Sequence, residues 1–174
     1  MPKIIENIRE KLLEEAKRQV RELGYSSMTI RSVATACGVG TGTVYNYFPS
    51  KDMLIASFMW DEWMLCVEAI SVGVTKAENV RDALHSMYQE LLIYKEKHER
   101  LFADENAKAS YMASFSNRHA LLREQLAAPI EMWTHNQDRV DGGFLAEFVA
   151  ENLLTLTMEV KEFGLIASVL LQLF

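Results

Sequence analysis

The stretch Thr29–Lys51, TIRSVATACGVGTGTVYNYFPSK, limits what this chain can fold into more than any other feature of the sequence. Two short segments with helical periodicity flank a tight Cys-Gly-Val-Gly turn. Thr29 stands where a helix N-cap is expected. In the second segment Val44 and Phe48 lie four residues apart, which places them on one buried face. The pattern predicts a helix-turn-helix whose second helix is Thr41–Phe48 and enters the major groove of DNA.

Helical periodicity also dominates the rest of the chain, and no alternation typical of strands appears. Further helices are expected over Ile4–Leu23, Ser50–Val72, Val80–Tyr94, from about Ser110, over Phe144–Glu159 and over Phe163–Phe174. The stretch Val72-Gly-Val-Thr is expected to be a connection, and Pro129 is expected to kink or interrupt its helix. The predicted fold is all-α, with an N-terminal three-helix helix-turn-helix head in residues 1–50 and a larger helical domain in residues 51–174.

Charge is distributed unevenly along the chain. The formal net charge is −6, yet residues 1–52 contain eight Lys or Arg and six Asp or Glu. The head is therefore slightly basic, and the remainder is acidic. A basic surface can approach phosphate while an acidic one is repelled by it. This asymmetry is consistent with a head that contacts nucleic acid.

The sequence gives no sign of a metal, a cofactor or a membrane segment. The two cysteines, Cys37 and Cys66, have no partner at metal-ligand spacing. The histidines are His85, His98, His119 and His135. Glu131 and His135 lie four apart on one helix face, but two ligands make a weak site. The apolar stretch at the end of the chain is too short to span a bilayer. We expect a cytoplasmic protein without cofactor.

The segments GYSSMTIRSVA, ACGVGTGTVYNYF and PSKDML together resemble the TetR family of bacterial transcription regulators, over about residues 5–58. This resemblance implies a homodimer with a DNA-binding head and a helical ligand-binding and dimerisation domain. It also implies dimer contacts through the last helices, about residues 144–174. A typical member is a repressor that a small molecule releases from a palindromic double-stranded operator. An activator or a ligand-independent regulator of the same fold is the alternative.

The resemblance also implies which residues contact DNA. Matched to the motif, they are Arg31, Thr41, Gly42, Thr43, Tyr45, Asn46, Tyr47 and Lys51. Hydroxyl groups and basic side chains suit phosphate, whereas Asn46 has the groups that bind adenine. Two simpler interpretations stay open, because Tyr47 suits a core position as well and Asn46 suits plain exposure to solvent. Gly40 departs from the serine usual at this N-cap, which weakens the helix by only a few tenths of a kcal/mol.

Bulky and adaptable side chains in the larger domain suggest a pocket for an apolar effector. The candidates are Trp60, Trp63, Met64, Met87, Tyr88, Tyr111, Met112, Phe115 and Trp133, with Phe102 nearby in the sequence. Ordinary packing between helices is the alternative for each of them.

Two other functional classes were weighed. A helical enzyme is disfavoured, because the chain has no nucleophile elbow, P-loop or zinc-binding helix, and Gly38-x-Gly40-x-x-Thr43 lacks the third glycine of a dinucleotide site. A helical protein that binds another partner through its apolar C-terminal stretch is also possible. Self-association explains that stretch better, since a large exposed apolar surface is a liability on a monomer.

Overall fold

In a computed structural model, every regular element is helical among the residues that the structure describes, which are 7–134, 141–159 and 161–174. For residues 108–118 the backbone alone is described. The helices are α1 (Ile8–Leu23), α2 (Ile30–Ala36), α3 (Thr41–Tyr47), α4 (Lys51–Lys76), α5 (Val80–Lys97), α6 (Glu99–Ala103), α7 (Glu105–Thr134), α8 (Gly142–Met158) and α9 (Phe163–Leu170), and a 3-10 turn covers Leu171–Leu173. The predicted all-α class is confirmed.

The chain divides into two compact units. The first comprises Met1–Glu62 and His98–Ala113, and the second comprises Trp63–Lys97 and Ser114–Phe174. Each has an apolar core of its own. Leu12, Met28, Val33, Val44, Leu54 and Ile55 are among the buried side chains of the first unit. Ile70, Leu84, Met87, Leu91, Leu126, Ile130 and Leu153 are among those of the second. A functional boundary near residue 50 remains a prediction.

Side-chain caps fix where several helices begin. The hydroxyl of Thr29 accepts the amide N–H of Ser32 at 3.0 Å, as its position in the sequence predicted. Ser50 does the same for the amide of Met53 at 3.1 Å, and Asp141 for the amide of Phe144 at 2.9 Å. Each bond satisfies a first-turn N–H group that has no partner inside its helix.

The connection predicted at Val72-Gly-Val-Thr is wrong, because α4 continues to Lys76 without a break. Gly73 has a packing role inside the helix instead. A Cβ atom at this position would lie 1.8 Å from the Oγ of Ser86 in α5. The missing side chain therefore lets α4 and α5 approach closely, and the glycine does not end the helix.

Pro129 does not interrupt α7, which extends from Glu105 to Thr134. Proline removes one backbone N–H from the helical ladder but does not always end a helix. The start predicted near Ser110 is also too late by five residues. The predictions that concern Ile4 and His135, and those that concern the side chains of Tyr111, Met112 and Phe115, fall outside the described residues.

Candidate nucleic-acid interface

Helix α3 presents nearly all of its surface to solvent. Within Thr41–Tyr47 the only buried side chain is Val44, and Phe48 at the C-cap is 3% exposed. The side chains of Tyr45 and Tyr47 are 52% and 45% exposed. The remaining predicted contacts on this helix are exposed or half-buried: Thr41, Gly42, Thr43 and Asn46. The interpretation of Tyr47 as a core residue is therefore wrong. The exposed side chains of α3 are accessible to a binding partner.

The turn before α3 is set by glycine. Gly38 has φ +68°, a left-handed conformation that side chains with a Cβ rarely adopt. The amide of Val39 then donates to the carbonyl of Ala34 at 2.9 Å, which closes the turn. Gly40 is the N-cap of α3 and offers no side-chain bond, yet the helix forms as expected. Buried Val44 and Phe48 hold it against the first unit's core.

Helix α2 is fixed to α1 through a polar network that the sequence analysis missed. The Ser32 hydroxyl donates to the Oε1 of Gln19 at 2.6 Å, and the Nε2 of Gln19 donates to Glu15 at 2.7 Å. Gln19 is buried, so these bonds satisfy its amide group away from water. In the sequence, the only sign of this network is that Gln19 lies beside the apolar positions Ala16 and Val20. The network sets the start of α2, where Arg31 is exposed.

Lys51 differs from the other predicted contacts, because its ammonium group already has partners within the protein. Its Nζ donates a hydrogen bond to the carbonyl of Tyr25 and lies 4.0 Å from the centroid of the Tyr25 ring. Burial lowers the pKa of Lys51, and the nearby charges of Asp52 and Asp104 partly offset this. The bond to Tyr25 uses one of the three N–H donors of this ammonium group, so Lys51 is less available to a phosphate than a lysine without such a bond.

Several basic side chains of α1 also form ion pairs within the protein. Arg18 binds Glu15 and Glu22 within the helix. Lys17 and Arg21 both bind the carboxylate of Glu62 in α4, with an Arg21–Glu62 distance of 3.0 Å. These pairs neutralise much of the positive charge counted in the head. Binding to phosphate therefore depends more on the basic side chains that have no ion pair than on the total number of basic residues in the head.

Among the predicted effector residues, Met87 and Trp63 are packed in the interior, whereas Met64 is at the surface. Met87 is fully buried and Trp63 is 2% exposed, whereas Met64 is 41% exposed. The ring of Trp63 meets Tyr94 edge-on at 5.4 Å, and its Nε1 donates to Gln125 at 2.8 Å.

Three other members of the predicted pocket, Tyr88, Trp60 and Trp133, differ in their surroundings. The hydroxyl of Tyr88 donates to the carbonyl of Lys161 at 3.3 Å. Trp60 and Trp133 are half-buried, and Trp60 belongs to the first unit while Trp133 belongs to the second. The Nε1 of Trp133 is buried, and no hydrogen-bond acceptor meets it in the described part of the chain. A shared pocket stays a prediction.

A shallow cleft of about 150 Å³ lies elsewhere in the second unit. It is lined by Arg81, Asp82, His85 and Phe163. The guanidinium carbon of Arg81 lies 5.6 Å from the centroid of the Phe163 ring, and the ring of His85 lies 4.6 Å from it. None of these residues belongs to the predicted pocket.

Two of the described histidines lie beside carboxylates. His98 binds Glu62 at 2.8 Å, and His119 lies 3.6 Å from Glu151. Over residues 7–134, 141–159 and 161–174, no three His, Cys, Asp or Glu side chains come together as metal ligands. Within the same ranges, no helix is both long and apolar enough to cross a bilayer.

Comparison with known proteins places this geometry among bacterial regulators. Residues 12–58 match the family model described as bacterial regulatory proteins of the tetR family. An HTH-type transcriptional regulator of Bacillus subtilis, YuxN, is 30% identical over 89 residues. That match covers 49% of this chain and 31% of YuxN, so the chain spans less than a third of that relative's length.

Solved structures extend the similarity of fold to nearly the whole chain. A TetR-family transcriptional regulator from Streptomyces coelicolor aligns with a TM-score of 0.66 at 16% identity, covering 95% of this chain and 99% of the other. A transcriptional regulator from Cytophaga hutchinsonii aligns with a TM-score of 0.65 at 18% identity, covering 94% and 96%. At such identities the likeness concerns the fold. The family model that matches residues 12–58 describes regulatory proteins and gives the enzyme hypothesis no support.

Proposed function

Since residues 12–58 match the tetR family of bacterial regulatory proteins, we propose that this chain is a repressor of that family, which binds a palindromic operator as a dimer and is released by a small, largely apolar effector. The exposed face of α3 is the observation that supports DNA binding most directly. Tyr45, Asn46 and Tyr47 are all exposed, so these side chains contribute little to the core of the head. Such a helix suits the major groove, where hydroxyl and amide groups meet phosphates and base edges.

Two copies of the head are needed for tight binding. One head has a small excess of positive charge, and much of it is paired internally. Phosphate contacts supply most of the affinity for DNA, so a single head of this kind binds weakly. Two recognition helices held about 34–36 Å apart match successive half-sites on one side of the duplex.

Helices α8 and α9 offer the surface for the second copy. Each leaves two apolar side chains exposed at four-residue spacing, Phe144 and Phe148 on α8, and Leu165 and Val169 on α9. The rings of Phe144 and Phe148 stack with their centroids 6.4 Å apart. A symmetric dimer buries such a surface on both subunits at once.

The effector would enter the second unit, among Trp63, Met64, Met87, Tyr88 and Trp133. Among the described residues no acceptor meets the buried Nε1 of Trp133, which favours a compound that brings an acceptor oxygen to this position. Ligand-linked displacement of α4 would then change the spacing of the two heads.

Fluorescence anisotropy with DNA from upstream of the chain's own gene tests the DNA-binding part. We expect binding that prefers this sequence over a scrambled duplex and that weakens steeply as salt rises. Binding that is equally weak for both duplexes at all salt concentrations would refute it.

The effector part needs a separate test. A set of small apolar compounds bearing an acceptor oxygen is screened for release of the bound DNA. Substitution Met64→Ala should reduce the response to an active compound and leave DNA affinity nearly unchanged, since Met64 is partly exposed and lies in the second unit. Equal loss of both properties would show that the two roles are not separate.

A further inference from the structure

Arg9 lies at the end of the recognition helix. It is an exposed residue of α1, and its guanidinium carbon is 5.7 Å from the centroid of the Phe48 ring. Phe48 is the C-cap of α3, and its amide donates to the carbonyl of Val44 at 2.9 Å. The ring of Phe48 also neighbours that of Tyr47 at 6.4 Å. Arg9 and Tyr47 therefore both adjoin the same buried ring.

No carboxylate among residues 7–134, 141–159 and 161–174 forms an ion pair with Arg9. Among the described residues, Arg18, Lys17 and Arg21 on the same helix are in ion pairs, whereas Arg9 forms none. Its contact is with a ring face, which attracts a cation but leaves the N–H edges of the guanidinium available. A planar guanidinium with free N–H groups binds phosphate through two parallel hydrogen bonds.

The position suits a phosphate better than a base edge. When a recognition helix lies in the major groove, the residues near its start meet bases and its far end approaches the sugar-phosphate backbone. Arg9 lies beside that far end without being part of the helix. We propose that Arg9 is a further DNA-contact residue that binds a backbone phosphate at the edge of the groove, with Phe48 as the ring that holds it in place.

This assignment rests on the proposed DNA-binding function. It differs from that function in predicting a contact from α1, outside the helix-turn-helix itself. A phosphate contact adds affinity for any duplex and contributes to the dependence on salt, but it does not discriminate between sequences.

The experiment compares Arg9→Gln, Arg9→Lys and the matched control Arg18→Gln in the full chain. Affinity is measured by fluorescence anisotropy from about 50 to 200 mM salt, with the upstream DNA and a scrambled duplex as probes. For Arg9→Gln we expect several-fold weaker binding to both probes, with the slope of log K against log salt reduced by about one for each subunit bound. Arg9→Lys should retain the slope, and Arg18→Gln should behave as the wild type because Arg18 is already paired.

The outcomes separate the two claims. If the wild-type chain binds the upstream DNA and Arg9→Gln keeps the wild-type slope, the assignment of Arg9 is wrong and the proposed function stands. A weaker affinity with an unchanged slope would indicate a purely structural role and would overturn the assignment as well. If the wild-type chain shows no salt-dependent binding, the proposed function fails and the assignment fails with it.

Discussion

The Nε2 of His98 lies 2.8 Å from a carboxylate oxygen of Glu62, and both side chains are buried. Lys17 and Arg21 of α1 reach the same carboxylate, so Glu62 joins α1, α4 and the residue that precedes α6. Burial alone raises the pKa of Glu62. The hydrogen bonds and charges of His98 and Lys17 outweigh it and bring the pKa to about 2.

The substitution Glu62→Gln should lower the free energy of unfolding by about 2 kcal/mol at neutral pH, since Lys17, Arg21 and His98 lose the carboxylate that they contact. The folded pKa lies below the ordinary value of 4.5, so the stabilisation is present above pH 4.5 and is lost as the pH falls towards 2. Urea unfolding at pH 7 and pH 3 measures the difference, which should shrink at pH 3. The control Glu22→Gln removes an exposed pair and should change little at either pH. A difference for Glu62→Gln that is the same at both pH values would contradict this account.

The cap of α2 should contribute measurably to stability. Thr29→Ala removes the acceptor for the amide of Ser32 and should destabilise the chain by about 1 kcal/mol. Thr35→Ala, on the exposed side of the same helix, is the matched control and should be slightly stabilising because alanine is the better helix former. Thermal unfolding of both variants by circular dichroism gives the comparison. Equal effects of the two substitutions would show that the cap contributes nothing.

Two helical glycines should respond to alanine in opposite directions. At Gly73 a Cβ would lie 1.8 Å from the Oγ and 3.0 Å from the Cβ of Ser86, so Gly73→Ala should destabilise by about 1–3 kcal/mol. At Gly164 a Cβ meets nothing within 4 Å, and Gly164→Ala should stabilise by about 0.5–1 kcal/mol. Adding Ser86→Gly to Gly73→Ala should restore part of the loss. If the double variant is no more stable than Gly73→Ala alone, crowding by Ser86 is not the cause.

Trp63 and Trp60 are both on α4 but differ in their surroundings. Trp63→Phe removes the donor to Gln125 and leaves a cavity, so it should destabilise by about 2–3 kcal/mol. Trp60 is only half-buried, and Trp60→Phe should cost less than about 1 kcal/mol. Urea unfolding followed by circular dichroism compares the two. A larger loss for Trp60→Phe would mean that the Trp63–Gln125 bond adds no stability.

The dimer surface can be tested with two leucines of equal exposure. Leu165 on α9 and Leu65 on α4 are each 64% exposed. Leu165→Glu should shift the chain to a monomer at micromolar concentration, because it places a charge in the proposed interface. Leu65→Glu should leave the oligomeric state unchanged. Sedimentation velocity measures both. A wild-type chain that is already monomeric, or a dimer that persists with Leu165→Glu, would remove α9 from the interface.

The sequence was most informative where local rules decide the structure. The N-cap at Thr29 and the buried Val44 follow from residue type and spacing alone, and both are confirmed. The role of Gly73 was missed because a glycine in a helical pattern resembles a break. Only the neighbouring helix shows that it allows close packing.

The sequence predicted which residues lie on the surface of the candidate interface, but not which contacts they make within the protein. Exposure of Tyr45 and Tyr47 agrees with the expected surface. The engagement of Lys51 by Tyr25 depends on a contact between residues 26 positions apart, which spacing does not show. The contact between Arg9 and Phe48 is of the same kind. Long-range pairs of this sort decide which charges remain available, so a count of basic residues overstates what the surface offers.

The burial of Val44 alone within α3 has a consequence for how such regulators diversify. Exposed positions such as Tyr45 and Asn46 can change without disturbing the core that keeps the head folded. After a gene duplication, a few such changes in one copy can therefore alter its target site while the buried contacts of Val44 stay intact. The same separation makes α3 a practical segment for laboratory evolution of altered operator preference.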